Sequence, residues 1–76
     1  MNPDIRAAVS RAINRVNLCP GKTCVHLWYA GDPKGVDFVA NRARLDGSTF
    51  EFQAGFERYC GSLEEIAEIR TEPIGD

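Results

Sequence analysis

No stretch of this chain approaches the roughly 20 apolar residues in a row that a membrane-spanning helix requires. The opening Met1-Asn2-Pro3-Asp4 has neither the basic start nor the apolar run of a secretory signal. Cysteine is scarce and odd in number, so Cys19, Cys24 and Cys60 cannot close into a complete disulfide framework. A cytoplasmic, thiol-reduced protein without membrane contact is the expectation. Internal repeats and low-complexity segments are also lacking. Aromatic side chains are missing from both ends: Trp28, Tyr29, Phe38, Phe50, Phe52, Phe56 and Tyr59 all fall in the middle of the chain. A sheet built from that middle should therefore supply the core, with the ends covering it. The 76 residues are expected to form a single domain, 1–76, near the lower end of what folds without disulfides or metals.

The formal net charge of −2 conceals a polarity. Residues 1–44 carry seven Lys/Arg against three Asp, whereas residues 45–76 carry two arginines against eight acids. Such asymmetry fits two partners of opposite sign or head-to-tail association, and equally a solvated surface.

The clearest element is N-terminal. Asn2 can cap a helix, Pro3 suits its first position, and Asp4 complements the positive end of its dipole. Ile5, Ala8, Val9, Ala12, Ile13 and Val16 recur at helical spacing, and Pro20 stops the run, so a helix is expected over 3–17. Val25, Leu27 and Tyr29 then alternate with Cys24, His26 and Trp28, which is strand periodicity. Gly31-Asp32-Pro33-Lys34-Gly35 suits a type I turn. A four-residue loop there pairs Tyr29 with Phe38 and Leu27 with Ala40.

The next turn admits two registers. A two-residue Asp46-Gly47 turn would leave Phe38 on the opposite face from Phe50 and Phe52. A three-residue Leu45-Asp46-Gly47 loop, with Gly47 left-handed in a bulge, pairs Arg44 with Ser48 and sets Phe52 opposite Ala40. The second choice puts Val25, Leu27, Tyr29, Val36, Phe38, Ala40, Phe50 and Phe52 on one face, and is preferred because a one-residue slip would turn that set to solvent. Ser62 and Glu65 make a capping box ahead of Leu63, Ile66 and Ala67, so a short second helix is expected over about 63–69, with Pro73 in a loose tail. Residues 54–60 match no pattern. The expected fold class is α+β in two layers: helix, three-stranded antiparallel meander, short helix (α-β-β-β-α). This element order resembles that of double-stranded-RNA-binding domains, which use a basic second helix; the segment here is acidic, and no function is carried across.

No catalytic, metal or cofactor site emerges. Gly21-Lys22-Thr23 lacks the earlier glycine of a phosphate-binding loop, with Val16 in its place, and has the helix before it instead of after. Cys19, Cys24, His26 and Cys60 could supply four zinc ligands, but their spacing is off the common patterns, and packing as small hydrophobes is the preferred reading. The expected register sets Cys24, His26 and Glu51 on one open sheet face, yet a flat sheet offers no enclosed pocket or oxyanion site. The same face reads better as a contact surface. Its expected rows are Cys24–Ala43–Thr49, His26–Asn41–Glu51 and Trp28–Val39–Gln53, with apolar Trp28 and Val39 ringed by hydrogen-bonding groups.

The expectation is a small non-enzymatic protein-binding module, a regulator or inhibitor that occupies a partner's surface. Its binding residues would be Trp28, His26, Val39, Asn41, Glu51 and Gln53, with a secondary acidic surface at Glu64, Glu65 and Glu68. Another protein is the expected partner, and the same surface suits self-association. The alternatives are a nucleic-acid-binding accessory protein using the basic N-terminal half, which net acidity and the single accessible aromatic disfavour, and a small metal- or thiol-site protein.

Overall fold

The computed structural model describes residues 3–74. Its helix, α1 (Pro3–Leu18), spans the segment read from the sequence and one residue more; the Asn2 cap lies outside the described residues. Val9, Ala12, Ile13 and Val16 form its buried stripe. The hydroxyl of buried Thr23 sits 3.4 Å from the carbonyl oxygens of Arg15 and Cys19, which ties the helix end to the first strand and gives terminal carbonyls a donor.

Six strands follow: β1 (Thr23–Tyr29), β2 (Val36–Ala40), β3 (Arg42–Asp46), β4 (Thr49–Ala54), β5 (Glu57–Ser62) and β6 (Ile66–Pro73). They form two three-stranded antiparallel sheets, β2-β1-β6 and β3-β4-β5. The expected α-β-β-β-α order is therefore corrected to one helix and six strands among the described residues. The second helix does not form. Its capping box is present, with Ser62 N–H donating to Glu65 Oε1 at 2.8 Å, but it caps only a single 3-10 turn, Leu63–Glu65. The chain then extends into β6, which pairs with β1 along its full length. Pro73 is tolerated because it is the last residue of an edge strand.

Both expected registers change. Leu27 pairs with Val36 and Val25 with Phe38, a slide of four residues that keeps every side chain on its expected face. Across β3 and β4, Phe52 pairs with Ala43 and Phe50 with Leu45, so neither Ala40 nor Asn41 lies opposite Phe52. The connecting turn is Gly47-Ser48, with Gly47 at φ 62° as the first central residue, the position where a two-residue hairpin turn of the II′ kind demands glycine. Positive φ at Gly47 was expected; the bulged loop was not found.

The inward set survives these shifts. Val25, Leu27, Phe38, Ala40, Phe50 and Phe52 are buried, joined by Leu63, Ile66 and Ile69 and by the helix stripe in one cluster. Phe38 links the sheets, its ring 5.6 Å from Phe52 and stacked 4.1 Å from Tyr59 of β5. Meanwhile α1 contacts β3 and β6, an edge strand from each sheet. Asn17 covers the β3 edge by accepting from Ala43 N–H at 3.1 Å and donating to Ala43 carbonyl oxygen at 3.0 Å, which blunts an edge open to further pairing.

Candidate functional site

Each sheet turns one face away from the core, and among the described residues no second helix covers the outward face of β2-β1-β6. Alternation along β1 directs Cys24, His26 and Trp28 to that face, because Val25 and Leu27 between them are buried. Pairing brings Val39 and Glu72 beside Cys24, Asp37 and Arg70 beside His26, and Glu68 beside Trp28. Thus three of the expected binding residues, Trp28, His26 and Val39, do share a surface. Glu51 and Gln53 do not join them: they lie on β4 of the other sheet, and Asn41 stands at the corner between sheets. All three expected rows are therefore corrected: they assumed one continuous three-stranded sheet, Ala43 turns inward, and the slid register sets Val39 beside Cys24 instead of Trp28.

Trp28 is half-buried and closely held. A Cβ at Gly35 would lie 2.7 Å from the indole Cδ1 and Nε1, so the ring rests on bare backbone. The Arg70 guanidinium stands 5.8 Å from the ring centroid, within cation–π range, and the His26 ring is stacked 6.3 Å away. Arg70 is itself held by Glu68. The imidazole of His26 is pinned by carboxylates on both sides. Its Nδ1 hydrogen-bonds Asp37 Oδ1 at 2.6 Å, and Nε2, sealed from solvent, lies 3.3 Å from Glu72 Oε1 without hydrogen-bond alignment. Arg70, Asp37 and Glu72 were missed by sequence reasoning. The alternation Glu68-Arg70-Glu72 was the available signal, hidden by reading residues 63–69 as helix.

The outward face of β3-β4-β5 is of different chemistry. Glu51 accepts from Arg44 Nε at 3.0 Å and Arg58 Nε at 2.8 Å, while Arg42 donates to Gln53 at 3.0 Å. Gln53 and Glu51 are thus spent on neighbouring arginines. At the tip of the β4–β5 hairpin Phe56 is fully exposed at 110 % of its reference area. Asn41 accepts from Gly55 N–H at 2.8 Å, so it anchors that hairpin. The expected acidic surface is divided: Glu65 is bound to Ser62, Glu68 to Arg70, and Glu64 is exposed.

The cysteines do not converge. Cys19 follows the helix, Cys24 faces outward on one sheet and Cys60 outward on the other, all as free thiols. Among the described residues no three His, Cys, Asp or Glu side chains are grouped to hold a metal ion. Burial, reinforced by the Asp37 and Glu72 carboxylates, pushes the Cys24 thiol up from its ordinary value, opposite to the shift a thiolate nucleophile requires. Modification by an aromatic disulfide reagent should therefore label Cys19 and Cys60 quickly and Cys24 last. Peptide mass analysis of a time course checks the order, and early labelling at Cys24 would contradict it.

Among the described residues no helix is long and apolar enough to cross a membrane. Comparison with known proteins finds no matching family model, curated protein or solved structure.

Proposed function

We propose that the chain is a non-enzymatic protein-binding module that acts by occupying a partner's surface, with the outward face of β2-β1-β6 as its contact face. One observation carries this reading: a half-exposed tryptophan, immobilised between backbone and an arginine, stands on an uncovered sheet face among charged neighbours. A large amphipathic ring already fixed in place loses little conformational freedom on association, which is why tryptophan and arginine dominate binding hot spots. Val39, 41 % exposed, gives a second apolar point beside Cys24 at the far end of the face, beyond the His26–Asp37 row, and Asp37, Glu68 and Glu72 supply polar groups between and around the two.

Several features support binding over catalysis. His26 Nδ1 is hydrogen-bonded to Asp37 and Nε2 is sealed from solvent 3.3 Å from Glu72, so neither nitrogen is open to a substrate, and Glu51 is on another sheet. Burial, with Asp37 and Glu72 beside it, raises the Cys24 thiol above its ordinary value, away from what a thiolate nucleophile requires.

The test is Trp28→Ala. With the partner identified by affinity capture from the native host, the variant should bind it about thirtyfold more weakly, equivalent to ~2 kcal/mol, while keeping a folded circular dichroism spectrum. Undiminished affinity in a folded variant would remove this face from consideration. Sedimentation of the wild type shows whether the partner is a second copy.

A further inference from the structure

We propose that the groove between α1 and β6 receives an acidic segment of a partner protein, one that presents an apolar side chain beside its carboxylates. The chain has seven arginines, and five of them are engaged: Arg6 donates to the Gly47 carbonyl, Arg42 to Gln53, Arg44 and Arg58 to Glu51, and Arg70 to Glu68. Arg11 and Arg15 are the two without an ion pair or side-chain hydrogen bond to a described residue. They are four residues apart on α1 and so stand on one face, a turn from each other. Both line two adjoining cavities, one of about 140 Å³ that Arg70 completes and one of about 580 Å³ that runs past Lys22 to Leu18 and Ile74. Among the described residues no acidic side chain lines either cavity. In a chain of net charge −2, this is a marked segregation of positive charge.

The lining decides among anionic occupants. Beyond the arginines the groove becomes apolar, with Leu18 81 % and Ile74 42 % exposed. A nucleic-acid strand needs cations along its whole track and aromatic rings under its bases, and no aromatic side chain lines either cavity. A peptide with carboxylates and an apolar side chain fits both parts: the carboxylates meet the planar guanidinium forks of Arg11 and Arg15, and the apolar group covers Leu18 and Ile74. This surface is distinct from the tryptophan face, which it meets only at Arg70, and it does not depend on that face being used.

The probe is a fluorescein-labelled peptide of alternating glutamate and leucine, titrated with the full chain by fluorescence anisotropy. Binding should weaken as salt rises, and the pair Arg11→Glu/Arg15→Glu should lower affinity at least about tenfold. Should that pair lower the melting temperature, Arg11→Gln/Arg15→Gln replaces it. Arg42→Glu/Arg44→Glu, on the other sheet, and Trp28→Ala should leave the affinity unchanged, the latter separating this groove from the tryptophan face. Leu18→Ser should weaken the glutamate–leucine peptide and leave a glutamate–serine peptide unaffected. The proposal is overturned by absent binding, by equal losses from both arginine pairs, or by a single-stranded oligonucleotide of equal charge binding more tightly through Arg11 and Arg15.

Discussion

Phe52→Ala is expected to abolish cooperative folding, while Phe56→Ala, four residues further along the chain at the tip of the β4–β5 hairpin, leaves the urea midpoint unchanged. Phe52 is fully buried, with Phe38 at 5.6 Å and Phe50 at 6.0 Å between ring centroids. Truncating such a ring removes its transfer free energy and leaves a cavity, a combined cost of ~3–5 kcal/mol. A single core in a chain of this length supplies about that much net stability. The ring also bridges the sheets, because Phe38 belongs to one and Phe52 to the other, so the loss falls on the contact that holds the layers together. Phe56 makes no such contribution, being wholly exposed. Urea denaturation followed by far-ultraviolet circular dichroism checks both variants. A Phe52→Ala protein with a sharp transition near the wild-type midpoint would mean that the layers are joined chiefly through α1.

Which residues of β1, β2 and β4 face inward was legible in the sequence, whereas β3 was read the wrong way round, with Ala43 outward, and how the strands pair was not legible. Alternation assigns a face, and a slide of two or four residues leaves that assignment intact, so Val25, Leu27, Phe38 and Ala40 were placed in the core through an incorrect pairing. The larger errors share one physical cause, an extra residue inside a strand. Trp28 pairs with Glu68 and Tyr29 with Ile66, leaving Ala67 as the unpaired residue of a bulge. That insertion spaces buried Ile66 and Ile69 three apart, which imitates a helical stripe. Coming directly after a genuine capping box, it made β6 read as a helix.

The consequences carried through to the candidate surface. With β6 unseen, Arg70 and Glu72 could not be placed beside Trp28 and His26, and the row was filled with Glu51 and Gln53 instead. The part that survives, Trp28 with His26 and Val39, rests only on alternation within β1 and β2. The positive charge of the N-terminal half was also visible, and Arg11 and Arg15, four residues apart, set part of it on one flank of α1. What no local pattern reveals is that β6 runs alongside that flank and closes it into a groove.

Deletion of Asn41 is expected to destroy the two-layer arrangement, although the residue is exposed and polar. In β2 the inward positions are Val36, Phe38 and Ala40; in β3 they are Ala43 and Leu45. Asn41 and Arg42 therefore both point outward in succession, and Asn41 is the extra residue at the corner where the chain passes from one sheet to the other. Its N–H donates to the Gln53 carbonyl at 2.7 Å and its side chain accepts from Gly55 N–H at 2.8 Å. Without Asn41 the alternation from Val36 to Leu45 becomes regular. A regular strand runs straight, whereas strands that switch sheets do so through bulges or bends. Straightening would carry β3 and β4 away from β1 and expose the Phe38–Phe52 contact. Asn41→Ala keeps the extra residue and loses only one hydrogen bond at an exposed site, a cost of ~1 kcal/mol. The deletion should lose its near-ultraviolet dichroism and melt without a cooperative transition, while Asn41→Ala keeps both. If the deletion variant melts like the wild type, packing against α1 makes the corner, and the residue count along the strand does not.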